Sequence, residues 1–206
     1  LENLKMKKLL AAAGVAAVMI ATPVLAQTPG APDVSRVAAA TYKVDANHTQ
    51  AVWSVDHMGF SILYGMFGSM SGTLTLDPAK PEAAKVSIEI PMSGLTTTSA
   101  GFTKHLSSAD FFDVEKFPTA KFESTSVVVS GQTAKITGDL TLHGVTKPVV
   151  LDAKFTGAGA NPMSKAPTVG FSATAKLNRS DFGLGRVVPV VGDEVSLKIT
   201  AAFENK

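Results

Sequence analysis

Cysteine is absent from all 206 residues. That excludes a disulfide scaffold, a thiolate zinc site, a thiol nucleophile and a lipid-modified cysteine anchor. Amphipathic aromatics are scarce, with one Trp and two Tyr, too few for the paired girdles of an outer-membrane barrel. The uninterrupted apolar run at residues 9–21 has 13 residues, short of the roughly 20 a membrane helix needs. An excess of one charge is lacking too. There are 19 basic and 17 acidic side chains, and no Lys/Arg cluster interleaved with aromatics marks a nucleic-acid footprint. What is present is apolar surface: 45% of residues are hydrophobic, too many for a disordered chain and enough for one ordinary domain.

Lys5, Lys7 and Lys8 precede the apolar run, and Val24 and Ala26 follow it at the spacing a signal peptidase reads. This is the pattern of an export signal. Residues 1–26 are therefore expected to be a signal peptide cleaved after Ala26, with residues 1–5 lying upstream of the start at Met6. Cleavage leaves 16 basic and 16 acidic groups, so the mature chain is neutral. Residues 27–40, rich in Pro, Ala, Gly and Thr, read as a flexible leader, and residues 41–206 as one domain exported to a bacterial periplasm or secreted.

That domain alternates with period two. Ala134, Ile136, Gly138, Leu140 and Leu142 share a face, opposite Lys135, Thr137, Asp139 and Thr141. The pattern recurs at Val149 to Phe155, Val169 to Leu177 and Val195 to Phe203, and further strands are expected at 51–58, 64–76, 85–92 and 120–129. In the segment 64–76 Phe67 is out of phase with Leu74 and Leu76, which predicts a bulge near Gly68 or Gly72. One segment reads as helix: Ser99 is an N-cap, and Phe102, His105, Leu106 and Ala109 form an apolar stripe. The expectation is an all-β fold, an eight-stranded antiparallel up-and-down barrel with one short helix between strands 3 and 4, since closure removes unpaired edges. Small inward residues such as Ala153, Ala173 and Ala201 leave two interiors open: a cavity for one small ligand, or a solid core packed by alternating sizes.

Signatures of known chemistry fail one by one. Residues 68–72, GSMSG, imitate a nucleophile elbow but carry Met where Ser is required. Asp181-Phe182-Gly183 lacks the other parts of a phosphoryl-transfer site. His48, His57, His105 and His143 do not fall at metal-ligand spacing, and no metal is expected. Asp110, Asp113 and Glu115 lack the glycine-turned loop of a calcium site and read as solvated carboxylates around an apolar turn. Phe60, Phe67, Phe102, Phe111, Phe112, Phe117 and Phe122, by contrast, crowd into about sixty residues around the helix, suggesting an apolar site closed by that helix.

Several runs together carry a resemblance: LSSADFFDVEKFPTAKF at 106–122, GDLTLHGVTKPV at 138–149, Arg179-Ser180-Asp181-Phe182-Gly183, and Val191-Gly192-Asp193-Glu194-Val195, with His57-Met58-Gly59-Phe60 and Gly65 to Phe67. In this order they resemble the YceI-like family of polyisoprenoid-binding proteins. The resemblance implies a lipocalin-like barrel in the periplasm whose pore holds a long lipid tail, without established catalysis. Tyr64 and Met66 depart from it, standing where many relatives carry polar or basic residues. Resemblance and parity together name Trp53, Phe60, Phe102, Leu106, Phe111, Phe112, Phe122, Leu140, Leu142 and Phe171 as the tail site, with His57 or His105 at a head group. The expected ligand is a quinone or polyprenyl lipid, carried or sequestered, with no other cofactor, no nucleic acid, no stable membrane insertion, and a homodimer compatible with such a barrel. Two other classes stay open: an enzyme acting on a bound quinone or lipid, for which His57 is the sole acid/base candidate, and a stress-related interaction module with a solid barrel.

Overall fold

A computed structural model describes residues 28–206; the expected export signal at 1–26 lies outside the described residues. Alternation becomes strand wherever it was read. On β9 (Val145–Ala160), Val149, Ala153 and Phe155 are buried while Val150, Asp152 and Lys154 are exposed. The other strands are β1 (Ala40–Val44), β2 (Gln50–His57), β3 (Ser61–Phe67), β4 (Ser71–Leu76), β5 (Lys85–Pro91), β6 (Leu95–Thr96), β7 (Thr119–Ser130), β8 (Thr133–Leu142), β10 (Pro167–Asn178) and β11 (Val191–Glu204).

These eleven segments fill eight positions around one closed antiparallel ring. Pairing runs β1-β4-β5-β7-β8-β9-β10-β11, and β11 pairs back to β1. β2 continues β1 along the same edge of β11: Phe203 faces Val44, and Ile199 faces Ala51. In the same way β3 and β4 form the next position, β3 against β2 and β4 against β1. β5 and β6 share the third position likewise, β5 against β4 and β6 against β3, so three positions are broken. At the second, Ser69 (φ 56°) and Gly72 (φ 137°) leave the extended region, and a Cβ on Gly72 would sit 2.0 Å from the Ser87 carbonyl oxygen. The irregularity expected near Gly68 or Gly72 is thus large enough to split the segment 64–76 in two, and β6 rejoins β3 after Gly68 donates to the Gly94 carbonyl at 3.1 Å.

Helix α1 (Ala100–Ser107) starts at the expected cap, with Ser99 Oγ accepting from the Phe102 amide at 3.3 Å. It ends at Ser107, two residues before Ala109 would extend the stripe. The two ends of the barrel differ. At one, the floor, Tyr42 and Val169 are fully buried against Phe155 and Phe203, Tyr42 donates to the Ala38 carbonyl at 2.6 Å, and Phe171 stacks between Phe155 and Phe203 at centroid distances of 5.7 and 6.2 Å.

Residues 28–39, whose composition reads as a flexible leader, are seated on this floor. β8 stops pairing with β9 at Lys154, leaving a free edge beyond it. Ala31 pairs there with Ala158 through two backbone bonds of 2.8 and 3.1 Å, and Gln132 donates to the Pro32 carbonyl at 2.8 Å. Gly159 makes the notch, since a Cβ on it would lie 2.1 Å from the Pro29 carbonyl oxygen. An unpaired strand edge has found a partner in the chain's own leader.

Candidate ligand-binding site

The opposite end, the mouth, gathers the motifs. The β8–β9 turn is His143-Gly144, both with positive φ as a two-residue hairpin turn demands. The His143 ring lies against Phe117, centroids 4.5 Å apart, and its Nδ1 is 3.2 Å from the Phe182 carbonyl oxygen. One imidazole therefore ties three of the sequence motifs together and is structural. Asp193 accepts from Ser180 twice, from its amide at 2.9 Å and its hydroxyl at 2.7 Å. Those bonds hold the Asp193 carboxyl below the usual carboxylate range.

Arg179 does the most at this end. Its Nε donates to the Gly192 carbonyl at 2.8 Å, Nη1 to those of Leu184 and Arg186, and Nη2 to that of Val191 at 3.0 Å. The guanidinium thus gathers the loop between β10 and β11 around itself. Burial lowers its affinity for the proton, with nearby Asp193 opposing.

Between mouth and floor lies a cavity of about 600 Å³, within the range of small-molecule sites. β11 lines it along its length, with Val191, Val195, Leu197, Ile199, Ala201 and Phe203. Twelve residue steps at about 3.3 Å per step make the path elongated, ~40 Å along the strand and less along the axis because barrel strands tilt. The lining is apolar except for Thr49, His57, His105, Ser172 and Arg179. The small inward residues divide between the two roles left open by the sequence. Ala153, Ala173 and Ala201 leave space along the cavity, whereas Gly138 admits the Phe122 ring, which a Cβ would meet at 2.4 Å.

Of the twelve residues expected at the site, eleven line this cavity. Trp53 and His57 enter from β2, Phe122 from β7, Leu140 and Leu142 from β8, and Phe171 from β10. Phe102, His105 and Leu106 descend from α1, and Phe111 and Phe112 from the turns after it. His105 packs edge-on to Phe111 at 4.7 Å, and Phe112 onto Phe67 of β3 at 5.6 Å, so the helical segment fills the gap beside β3. The exception is Phe60, which is 88% exposed and lines nothing. It follows the left-handed pair Met58 (φ 62°) and Gly59 (φ 69°) and shares the outward parity of the exposed Ile62 and Tyr64, so the resemblance rather than the alternation had set it inside.

Parity missed the contributions of irregular chain. Arg179, Leu184, Val187, Val188 and Val190 all line the cavity from loops, and their only trace in the sequence was the paired motifs at 179–183 and 191–195. Among the described residues no His, Asp and Glu gather as a metal site. His48 is spent on Asp45 at 2.6 Å near the floor, and Asp110 pairs with Arg186 across the mouth. No helix of the described residues is long and apolar enough to cross a membrane.

Residues 42–203 match the YceI-like domain. The chain is similar to a UPF0312 protein of Pseudomonas putida (strain W619), 47% identical over 149 residues, which are 71% of this chain and 77% of that one. A UPF0312 protein of Pseudomonas fluorescens (strain SBW25) is 43% identical over 152 residues, covering 72% and 79%. Among solved structures, the Campylobacter jejuni YceI protein superposes with a TM-score of 0.66 at 29% identity, over 73% of this chain and 90% of that one. Burkholderia cenocepacia BcnA gives 0.69 at 23%, covering 77% and 98%. A polyisoprenoid-binding domain from Saccharophagus degradans gives 0.59 at 13%, covering 80% and 98%; at such identities the likeness is one of fold. With one domain profile spanning the barrel and relatives at nearly half identity, the chain belongs to the YceI-like family.

Proposed function

We propose that this protein binds one long apolar lipid chain inside the barrel, tail toward the floor, as a soluble carrier or sequestering protein. The observation that carries the reading is the cavity, continuous from mouth to floor and apolar along its length. Burying a chain there gains roughly 0.8 kcal/mol per CH2, so about fifteen buried carbons give ~12 kcal/mol before ordering and desolvation costs. A polyisoprenoid such as a quinone or polyprenyl lipid suits the elongated shape, and the Saccharophagus degradans domain of the same fold is a polyisoprenoid-binding one. The role is binding rather than catalysis. Its setting is the periplasm, reached through the export signal at 1–26.

Native mass spectrometry of the purified protein, followed by organic extraction and lipid analysis, tests the proposal. The expected result is a protein carrying an extractable lipid, or an empty one that takes up a quinone. An empty protein that takes up none would overturn it. Leu140→Arg, which sets a charge in the apolar wall, is expected to abolish uptake in a folded variant.

A further inference from the structure

The ring of strands is not bonded all the way up to its mouth. Pairing between β9 and β10 stops at Asp152 and Thr174, although β9 extends back to Val145 and β10 on to Asn178. Continued register would set Leu151 against Ala175 and Pro148 against Asn178, and these pairs are not made. Pro148 supplies a cause. Leu142 and Val145 close a two-residue hairpin, so they exchange backbone bonds, and alternation from them turns the Pro148 nitrogen away from β8 and toward β10. A proline nitrogen has no proton to donate there. Outside this seam a groove of about 370 Å³ opens between Lys147 and Val150 of β9 and Lys176 and Asn178 of β10. Val149 and Leu177 line both the groove and the cavity, so the wall there is one side chain thick.

A second seam lies across the ring. β6 meets β3 only at Phe67 and Met66, which leaves residues 61–65 with no strand beside them on that side among the described residues. Four of the eight positions separate the seams in either direction, so they divide the barrel into two halves. One half is β5 to β9; the other is β1 to β4 with β10 and β11. Toward the floor the halves are joined by the β4–β5 and β9–β10 ladders and by one cluster, in which Val86, Ile88 and Phe155 meet Tyr42, Val169 and Phe203. At the mouth two polar links cross between them among the described residues. His143 Nδ1 lies 3.2 Å from the Phe182 carbonyl oxygen, and the exposed Asp110 pairs with the exposed Arg186.

Resting on the reading that a lipid tail fills the barrel, we infer that the mouth widens to admit it by the two halves parting along both seams, hinged at the floor and latched by Asp110 and Arg186. Local opening is easiest where backbone ladders are already unmade. Neither seam has a ladder to break above its last rung, and neither latch residue lines the cavity.

The chain has no cysteine, so an Asp110→Cys, Arg186→Cys double variant carries one unique thiol on each half. A short bis-maleimide joins the two thiols; N-ethylmaleimide caps them singly as the control. Geranylgeraniol uptake by delipidated protein is followed through the emission of Trp53, the single tryptophan and a cavity residue. The cross-linked protein is expected to load at least about tenfold more slowly than the capped one, and equal rates overturn the inference. Arg186→Gln, which removes the latch, is expected to load and release about threefold faster at unchanged affinity. Amide exchange in that variant without lipid is expected to quicken at the last rungs of both seams, Asp152–Thr174 and Met66–Thr96, and to stay unchanged at Ala158–Val169 beside the floor hinge. Quickening at Met66–Thr96 alone marks a lid swinging on the helical segment and overturns the two-sided opening. If geranylgeraniol does not bind, the lipid reading falls, and the exchange pattern by itself decides whether the halves part.

Discussion

Trp53 owes its place to what faces it. It is directly opposite Gly65 on β3, and a Cβ on that glycine would lie 2.1 Å from the indole ring. The ring lies flat over the bare backbone and leaves the lumen open. Its Nε1 proton has no acceptor among the described residues, an omission that costs stability in a dry interior. Gly65→Ala is expected to push the ring into the cavity, lowering stability by about 1–3 kcal/mol as overpacking does, and to shift the tryptophan emission; urea titration followed by fluorescence reads both. Trp53 could be placed from the sequence because it lies mid-strand, where parity is undisturbed. Phe60 was misplaced by the resemblance: alternation alone sets it on the face of the exposed Ile62 and Tyr64, opposite the parity of His57 and Leu63.

At the scale of elements, the loop between β10 and β11 shows why a motif can be conspicuous without disclosing what it does. Residues 179–183 and 191–195 stand apart in sequence, yet Arg179 holds the Leu184 and Arg186 carbonyls of the intervening loop and those of Val191 and Gly192 in the second motif, and Asp193 holds Ser180. Lysine at position 179 keeps the charge but lacks the planar fork that reaches several carbonyls at once. Arg179→Lys is expected to cost about 2–3 kcal/mol and to speed amide hydrogen exchange in residues 184–191, with protection in β8 and β9 unchanged. Alternation located eight strand positions, but three of them are broken, β1 from β2, β3 from β4 and β5 from β6. β1 was hidden because five residues beside a Pro- and Ala-rich leader hold too few alternations to read. The leader's own docking was equally illegible: the notch that receives it is made by Gly157 and Gly159, over a hundred residues away.

For the molecule as a whole, closure of the ring was legible, because eight alternating segments with short connections have few other ways to satisfy their edges. Whether the ring was hollow was not. Inward alanines look alike whether they make space or receive a neighbouring ring, and only the register separates Ala173, which borders the cavity, from Gly138, which accepts Phe122. The floor also sets how the fold responds to acid. Glu204 is buried there, held by Lys206, by the Asn161 amide at 2.5 Å and by the Ser164 hydroxyl at 3.3 Å. These partners, Lys206 foremost, depress its carboxyl below the ordinary glutamate value of 4.5. A depressed carboxyl contributes stability that is fully present above 4.5 and is lost as pH falls through the folded-state value. Thermal melts are therefore expected to decline below about pH 4.5, and Glu204→Gln to lower stability at pH 7 while flattening that decline.

The seating of residues 28–39 on β9 fixes where the chain enters the barrel, and β11 ends at Glu204 beside the same floor. Entry and exit share one base. A fusion partner, affinity handle or surface linkage attached through either terminus would consequently hold the barrel upright like a cup, with its rim turned away from the support and free to load.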